Sequence, residues 1–182
     1  MELIAPLRTA EGLAERVLKV NHAGEHGAVN IYAGQRLVAR LTARSMLREL
    51  AEFQSHERRH RSIFQAELQR RGVRRCRSYH LCGAGGFVLG FVTAIFGRGA
   101  IAATTVAVER VVLRHLQHQL RELHAVDEEA VKAISSIVQE EQQHHDSSAA
   151  HIEGQASRRW VRLLTPVVAA STEAVIWLGM RL

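Results

Sequence analysis

The stretch FQSHERRHRSIF, residues 53–64, decides how the rest of the chain is interpreted. It places Glu57 and His60 three residues apart within a run that is otherwise rich in arginine. Residues i and i+3 share one face of a helix, so a glutamate and a histidine at this spacing can bind one metal ion together. Such pairs also occur on solvated helix faces. The stretch alone does not choose between a charged surface and half of a metal site.

A second glutamate–histidine pair lies in VQEEQQHHD, where Glu141 and His144 are again three residues apart. Each pair follows an isolated glutamate on apolar ground, Glu25 in HAGEHGAV and Glu109 in TTVAVERVV. The separations are equal, since 57 − 25 = 32 and 141 − 109 = 32, and the halves are related by an offset of 109 − 25 = 84 residues. This equality indicates an internal repeat.

The repeat has a geometric meaning if each half is a helical hairpin, about 13–71 and about 100–153. The midpoint of 25 and 57 is residue 41, and the midpoint of 109 and 141 is residue 125, where we predict the two turns. A helix rises about 1.5 Å per residue, so each glutamate lies at the height of its partner on the returning helix. Packing the hairpins together predicts a four-helix bundle with six ligands at one level. The predicted ligands are Glu25, Glu57, His60, Glu109, Glu141 and His144.

This arrangement is the ligand set of di-iron and di-manganese carboxylate proteins, in which two helices give one glutamate each and two give a Glu-x-x-His pair. Four carboxylates balance the charge of two divalent ions, and oxygen-rich ligands with one imidazole per metal suit iron or manganese. The alternative is two surface pairs and two unpaired glutamates in apolar helices, which is costly if they are buried. The sequence therefore predicts a di-metal centre.

The composition supports an all-α fold, which we predict as one domain over residues 1–182. Only 5% of the residues are aromatic, two are proline, and alanine, leucine and valine supply most of the apolar mass, which favours helices over strands. Thr165-Pro166 predicts the start of a C-terminal helix, because proline is favoured at the first helical position. The other predicted helices run over about 13–41, from the turn that follows to about 71, over about 100–124, and from the N-cap Asp127 to about 152.

The net charge of +6 and the pI near 10.3 suit an anionic partner. We do not predict nucleic acid, because the chain has no RNA-binding aromatic signature, zinc-finger spacing or basic zipper. Two cysteines, Cys76 and Cys82, are too few for a disulfide framework and favour a reducing compartment. The N-terminal stretch MELIAPLRTAEGLAERV lacks a basic start followed by an apolar run, and its acidic residues disfavour a transit peptide.

The segment LCGAGGFVLGFVTAIFG, residues 81–97, carries no charge. It is short for a transmembrane helix, which needs about 20 residues. Three interpretations stay open: a short span, a buried core helix, and a helix that lies on a membrane. The arginines before it favour the last, since they can meet anionic headgroups. These arginines are Arg70, Arg71, Arg74, Arg75 and Arg77.

The same motifs resemble the demethoxyubiquinone hydroxylases, the di-iron monooxygenases of ubiquinone biosynthesis. The resemblance runs from about residue 15 to 182 and rests on VNHAGEHGAVNIYAGQ, TTVAVE, EEQQHHD and IWLGMRL. The ligands of that family fall on the six positions that the spacing selects. The family also has a His-Tyr pair after the third ligand, where this chain has His115 and Leu116. The resemblance therefore implies a supporting role beside the metal ligands for His115, whereas Leu116 cannot perform any role that depends on a tyrosine hydroxyl.

The resemblance implies two iron ions that activate O2, with one oxygen atom added to a quinone ring and the other leaving as water. Two electrons come from an external donor, with NADH as a candidate, although the chain has no glycine-rich dinucleotide fingerprint. The substrate is a membrane-soluble quinone, and other quinone-biosynthesis proteins are candidate partners. The implied location is the cytoplasmic face of the bacterial cell membrane rather than the mitochondrial inner membrane.

Two other functions share some of these features. A ferritin-like iron oxidase or storage protein would use the same ligands without a quinone channel, and the apolar segment 81–97 disfavours it. A non-enzymatic quinone-binding scaffold of the biosynthetic complex would tolerate loss of ligands, yet all six are present.

Overall fold

The computed structural model describes residues 10–152 and 154–181, which are all-α as the composition predicts. A short 3-10 turn, Arg44–Met46, separates the first two helices. The N-terminal residues 1–9, on which part of the signal-peptide prediction rests, lie outside the described residues. The helices are α1 Ala10–Thr42, α2 Leu47–Arg70, α3 Tyr79–Ile95, α4 Arg98–Leu123, α5 Glu128–Ala150 and α6 Gly154–Gly179.

Helices α1, α2, α4 and α5 form the bundle. Helix α1 packs along α2 and α4 along α5, and the two hairpins meet where α2 contacts α5 and α1 contacts α4. The turns lie where the sequence predicts them, at Ala43 and before Asp127. The Asp127 carboxylate accepts a 2.9 Å hydrogen bond from the Ala130 N–H, which is the predicted N-cap of α5.

A partly buried ion-pair network ties the end of α2 to the start of α5. The Arg71 guanidinium donates to both carboxylate oxygens of Asp127, at 2.6 and 2.8 Å, and to Glu67 at 2.7 Å. Arg70 also pairs with Glu67. The expectation that all five arginines of this region can meet anionic headgroups is therefore corrected for Arg71, whose side chain is 12% exposed and joins the hairpins.

Helix α3 packs lengthwise on α1 through glycines. A Cβ added at Gly86 would overlap the carbonyl oxygen of Gly27, and one added at Gly90 would overlap that of Ile31. Only glycine permits this approach of the two backbones. The opposite face of α3 is apolar and exposed, so it is not simply a core helix. The exposed side chains include Leu81, Phe87, Val88, Phe91, Val92 and Ile95.

Helix α6 packs on α4, and its start differs from the sequence prediction. Pro166 lies inside the helix and does not open it. The prediction is wrong because the apolar contacts of α6 continue across the proline: Leu164 and Val168 lie in the same apolar cluster as Ala107 and Val108 of α4. The segment Arg159–Gly179 is the one helix among the described residues that is long and apolar enough to cross a membrane, by length and composition alone.

Candidate metal centre

The structure brings all six predicted ligands together in two overlapping sets. Each set offers one atom per residue, and these atoms all lie within 4.8 Å of one another. Glu57 and Glu141 belong to both sets, whereas the isolated glutamates each belong to one. The sequence spacing does not distinguish these roles. The first set is Glu25, Glu57, His60 and Glu141; the second is Glu57, Glu109, Glu141 and His144.

The donor atoms are suited to metal ions. The six residues are at most 5% exposed. His60 Nδ1 lies 2.8 Å from Glu141 Oε1, and His144 Nδ1 lies 3.1 Å from Glu57 Oε1, yet none of these four atoms makes a hydrogen bond within the described residues. Buried polar atoms normally make hydrogen bonds, so four such atoms that approach one another without one are well placed to bind metal ions instead. Two divalent ions would satisfy all four.

Burial and mutual repulsion govern the protonation of these groups. Burial, followed by the charge of Glu57, raises the pKa of Glu25 well above its ordinary value, and burial with the charge of Glu141 does the same for Glu109. Burial opposes the charged form of His60, but the carboxylates of Glu141 and Glu57 raise its pKa to about 10. The same carboxylates raise the pKa of His144 to about 9 against the effect of burial. At neutral pH the two histidines of the metal-free site are therefore protonated, whereas a histidine with the ordinary pKa of 6.5 is mostly neutral.

Loading a divalent ion is expected to raise the unfolding temperature more at pH 8 than at pH 6. His60, with a pKa of about 10, and His144, with a pKa of about 9, stabilise the metal-free fold fully below their unfolded pKa of 6.5. This stabilisation is lost as the pH rises toward the folded values. Metal binding needs neutral imidazoles, so the contribution of the metal grows over the same interval. Calorimetry with and without Mn²⁺ at pH 6, 7 and 8 measures the difference, and a constant difference contradicts the prediction.

Three residues that contact the ligands were not predicted from the sequence. The Tyr32 hydroxyl donates to Glu109 Oε1 at 3.2 Å. His60 Nε2 lies 2.7 Å from Glu140 Oε2, and His144 Nε2 lies 3.0 Å from His56 Nδ1. A signal was present for the last two: His56 and Glu140 each immediately precede a ligand glutamate.

An apolar cavity of about 610 Å³ leads from the site to the surface between α3 and α6. Its walls include apolar residues of four helices, and four of the predicted ligands lie at its inner end. The outer part is bordered by exposed apolar side chains of both outer helices, so the route is apolar to the surface. The ligands are Glu25, Glu57, Glu109 and Glu141, and the outer side chains are Leu81, Val88, Val92 and Val175.

The two positions of the family's His-Tyr pair lie on the cavity wall. His115 Nε2 lies 2.7 Å from Glu173 Oε2, so this histidine joins α4 to α6 and lies outside both ligand sets. Leu116 is 2% exposed and packs in the core with Leu123 and Ile134. The supporting role of His115 stays a prediction.

An all-α bundle with four glutamates and two histidines meeting at its centre defines a ferritin-like carboxylate protein. Within that class, the model of the family described as Ubiquinone biosynthesis protein COQ7 matches residues 12–179. The chain belongs to this family.

Named relatives agree with this assignment. A Dictyostelium discoideum protein named NADPH-dependent 3-demethoxyubiquinone 3-hydroxylase, mitochondrial, is 32% identical over 179 residues, covering 93% of this chain and 77% of its own. The human protein of the same name is 33% identical and covers 92% and 77%. The 3-demethoxyubiquinol 3-hydroxylase of Rhodospirillum rubrum is 34% identical and covers 93% and 78%.

Proposed function

We propose that this protein is a monooxygenase that hydroxylates the quinone ring of a demethoxyubiquinone-type precursor in ubiquinone biosynthesis. The observation that carries the proposal is the apolar cavity that joins the carboxylate cluster to the surface. An iron oxidase or storage protein needs no such route for an apolar substrate. The names of the relatives supply the substrate class and the reaction.

The predicted ligands would hold two iron ions, with Glu57 and Glu141 shared between the two positions. Iron bound there would supply the activation of O2 for transfer of one oxygen atom to the ring. The protein contributes the position of the substrate and the exclusion of water. Apolar side chains of the cavity wall, among them Ile31, Val108 and Val112, surround the ring and the first part of its isoprenoid tail.

A polar pair on the cavity wall is suited to orienting the ring. Asn21 Nδ2 donates to Gln119 Oε1 at 2.9 Å, and Gln119 Nε2 donates to Asn21 Oδ1 at 3.1 Å. Both residues line the cavity, and each amide has a second N–H that can donate to a quinone carbonyl. Few polar groups in a mostly apolar pocket are the usual means of fixing a ligand's orientation.

The two electrons for the reaction come, in this proposal, from a reduced nicotinamide, because the names of several relatives state NADPH dependence. We further propose that the protein acts as a peripheral protein at the cytoplasmic face of a bacterial membrane. The exposed apolar faces of α3 and α6 beside the cavity support contact with lipid. The free cysteines are compatible with a reducing compartment.

Filling the cavity at Gly24 is expected to stop hydroxylation while leaving the metal site occupied. Gly24 lines the cavity, and a Cβ added there meets nothing within 4 Å. Gly24→Leu should therefore fold normally and compete with the quinone for space, with Gly24→Ala as the small control. The measurement is incorporation of heavy oxygen from ¹⁸O₂ into a demethoxy-quinone, beside the iron content. Full hydroxylation by Gly24→Leu would place the substrate elsewhere.

The protein is expected to float with anionic vesicles, and Val88→Asp should lower the bound fraction about tenfold. Val88 is 59% exposed on the outer face of α3, and a charge there opposes transfer of this face into lipid. Ser55→Asp, on an exposed position of α2, adds the same charge away from that face. Equal flotation of the two variants, or wild-type protein that stays at the bottom at low salt, would remove the membrane proposal.

A further inference from the structure

Each histidine of the site presents one ring nitrogen to the glutamates and the other to a residue outside them. The Nδ1 atoms of His60 and His144 face the ligand glutamates. The Nε2 atom of His60 faces Glu140 at 2.7 Å, and that of His144 faces His56 at 3.0 Å. A carboxylate supports one imidazole, and a second imidazole supports the other.

These two supporting residues occupy corresponding positions of the repeat. The offset between the halves is 109 − 25 = 84, and 140 − 56 = 84 as well. The supporting contact crosses from one half to the other in both cases: Glu140 on α5 reaches a ligand of α2, and His56 on α2 reaches a ligand of α5. The arrangement is therefore symmetric in position and asymmetric in charge.

A second pair of corresponding positions is also unequal. Tyr32 donates its hydroxyl proton to Glu109 Oε1 at 3.2 Å. Its counterpart in the other half is Leu116, since 116 − 32 = 84. Leucine has no hydroxyl, so this counterpart cannot donate to the carboxylate of Glu25. Both residues are buried, at 2% exposure each.

The chemistry of these contacts favours metal binding at the position that contains His60. An imidazole that binds a metal through Nδ1 keeps its proton on Nε2 and must donate it. Glu140 accepts this proton as a carboxylate, which orients the ring of His60 and raises its basicity as a ligand. Arg59 pairs with Glu140 and holds it in place; this guanidinium is 47% exposed, so solvent screens its charge.

The other position has weaker donors. His144 must donate to His56 Nδ1, which accepts only as a neutral ring without negative charge. The hydroxyl of Tyr32 withdraws electron density from Glu109 on the same side. Both differences therefore lower the donor strength of Glu109 and His144 relative to that of Glu25 and His60.

We propose that the two metal positions are unequal: the position built by Glu25 and His60 binds a divalent ion first and roughly 10- to 100-fold more tightly than the position built by Glu109 and His144. The inference rests on the proposed metal site. Glu140 and His56 act as positioning residues, and the replacement of a carboxylate by an imidazole between corresponding positions sets the order of loading.

Stepwise titration of metal-free protein with Co²⁺, followed by calorimetry and visible absorption, measures the two affinities directly. Wild-type protein is expected to bind one ion tightly and a second more weakly. Glu25→Gln should remove the tight step and Glu109→Gln the weak one, which assigns each step to its position. Two steps of equal affinity in the wild type, or the opposite assignment, would overturn the proposal. Binding of no Co²⁺ at all would instead refute the metal site.

Two variants test the cause. Glu140→Gln should weaken the tight step about 10- to 100-fold and leave the weak step unchanged. His56→Glu should strengthen the weak step and bring the two affinities together. Glu129→Gln, an exposed position on α5, removes the same charge as a control. Circular dichroism of each variant verifies folding, and equal weakening of both steps by Glu140→Gln would show that Glu140 acts on the whole site.

Mössbauer spectroscopy supplies a second readout that does not depend on affinity fits. One equivalent of ⁵⁷Fe²⁺ added anaerobically to wild-type protein should give a single quadrupole doublet, and a second equivalent should add a different one. A mixture of both doublets after the first equivalent would contradict ordered loading. In Glu140→Gln the first equivalent should distribute over both.

Discussion

Glu57→Gln is expected to lose both metal ions and to lower quinone hydroxylation by about 10²-fold or more. Glu57 belongs to both ligand sets, so its loss removes a donor from each position. Replacing a residue that only supports a ligand already costs roughly 10- to 100-fold in metal affinity or activity, and a shared ligand should cost more. The metal content of the purified protein after anaerobic loading with Fe²⁺ measures the first effect, and ¹⁸O incorporation the second.

Two matched variants serve as controls for this experiment. Glu52→Gln removes the same charge from an exposed position of α2 and should retain both ions. Glu25→Gln affects one ligand set alone and should retain one ion per chain. Two ions bound to Glu57→Gln, or the same loss in Glu25→Gln and Glu57→Gln, would show that the glutamates are not divided into shared and separate ligands.

Gly90→Ala is expected to destabilise the fold by about 1–3 kcal/mol or more, because an added Cβ overlaps the backbone carbonyl of Ile31 and neither helix can move without losing packing. For a protein of this length, each kcal/mol lowers the unfolding temperature by about 2–4 °C. Thermal unfolding followed by circular dichroism measures the loss. The added methyl group should also push α3 away from α1 and widen the cavity, since α3 forms one of its walls.

Gly85→Ala is the control, because Gly85 lies on the same helix with nothing within 4 Å of the added Cβ. Alanine at an unhindered helical position stabilises by about 0.5–1 kcal/mol relative to glycine. Opposite signs for the two variants would support close packing of α1 and α3. Equal and small effects would mean that the two helices are not in backbone contact.

Sequence reasoning could identify the ligands because helices convert spacing into direction and height. The three-residue spacing of Glu57 and His60 sets a common face, and the separation of Glu25 from Glu57 sets a common level once the turn is placed between them. The prediction of the Asp127 cap rested on equally local chemistry and is confirmed. That the six residues bind metal stays a prediction.

Contacts between helices could not be predicted from local spacing in the sequence. The placement of Pro166 was wrong because packing against α4 overrides a local preference. The arginines before α3 looked alike in sequence, yet Arg71 pairs with Asp127, which is 56 residues away.

The sequence by itself determined the all-α fold, the positions of the turns and the six candidate ligands, because each depends on local periodicity or on spacing along a helix. Only the tertiary structure decided which glutamates belong to both candidate ligand sets, which residues contact each histidine, and where the cavity opens. These features depend on how helices from distant parts of the chain face one another. His56 and His144 are separated by 88 positions and meet only because α2 packs against α5.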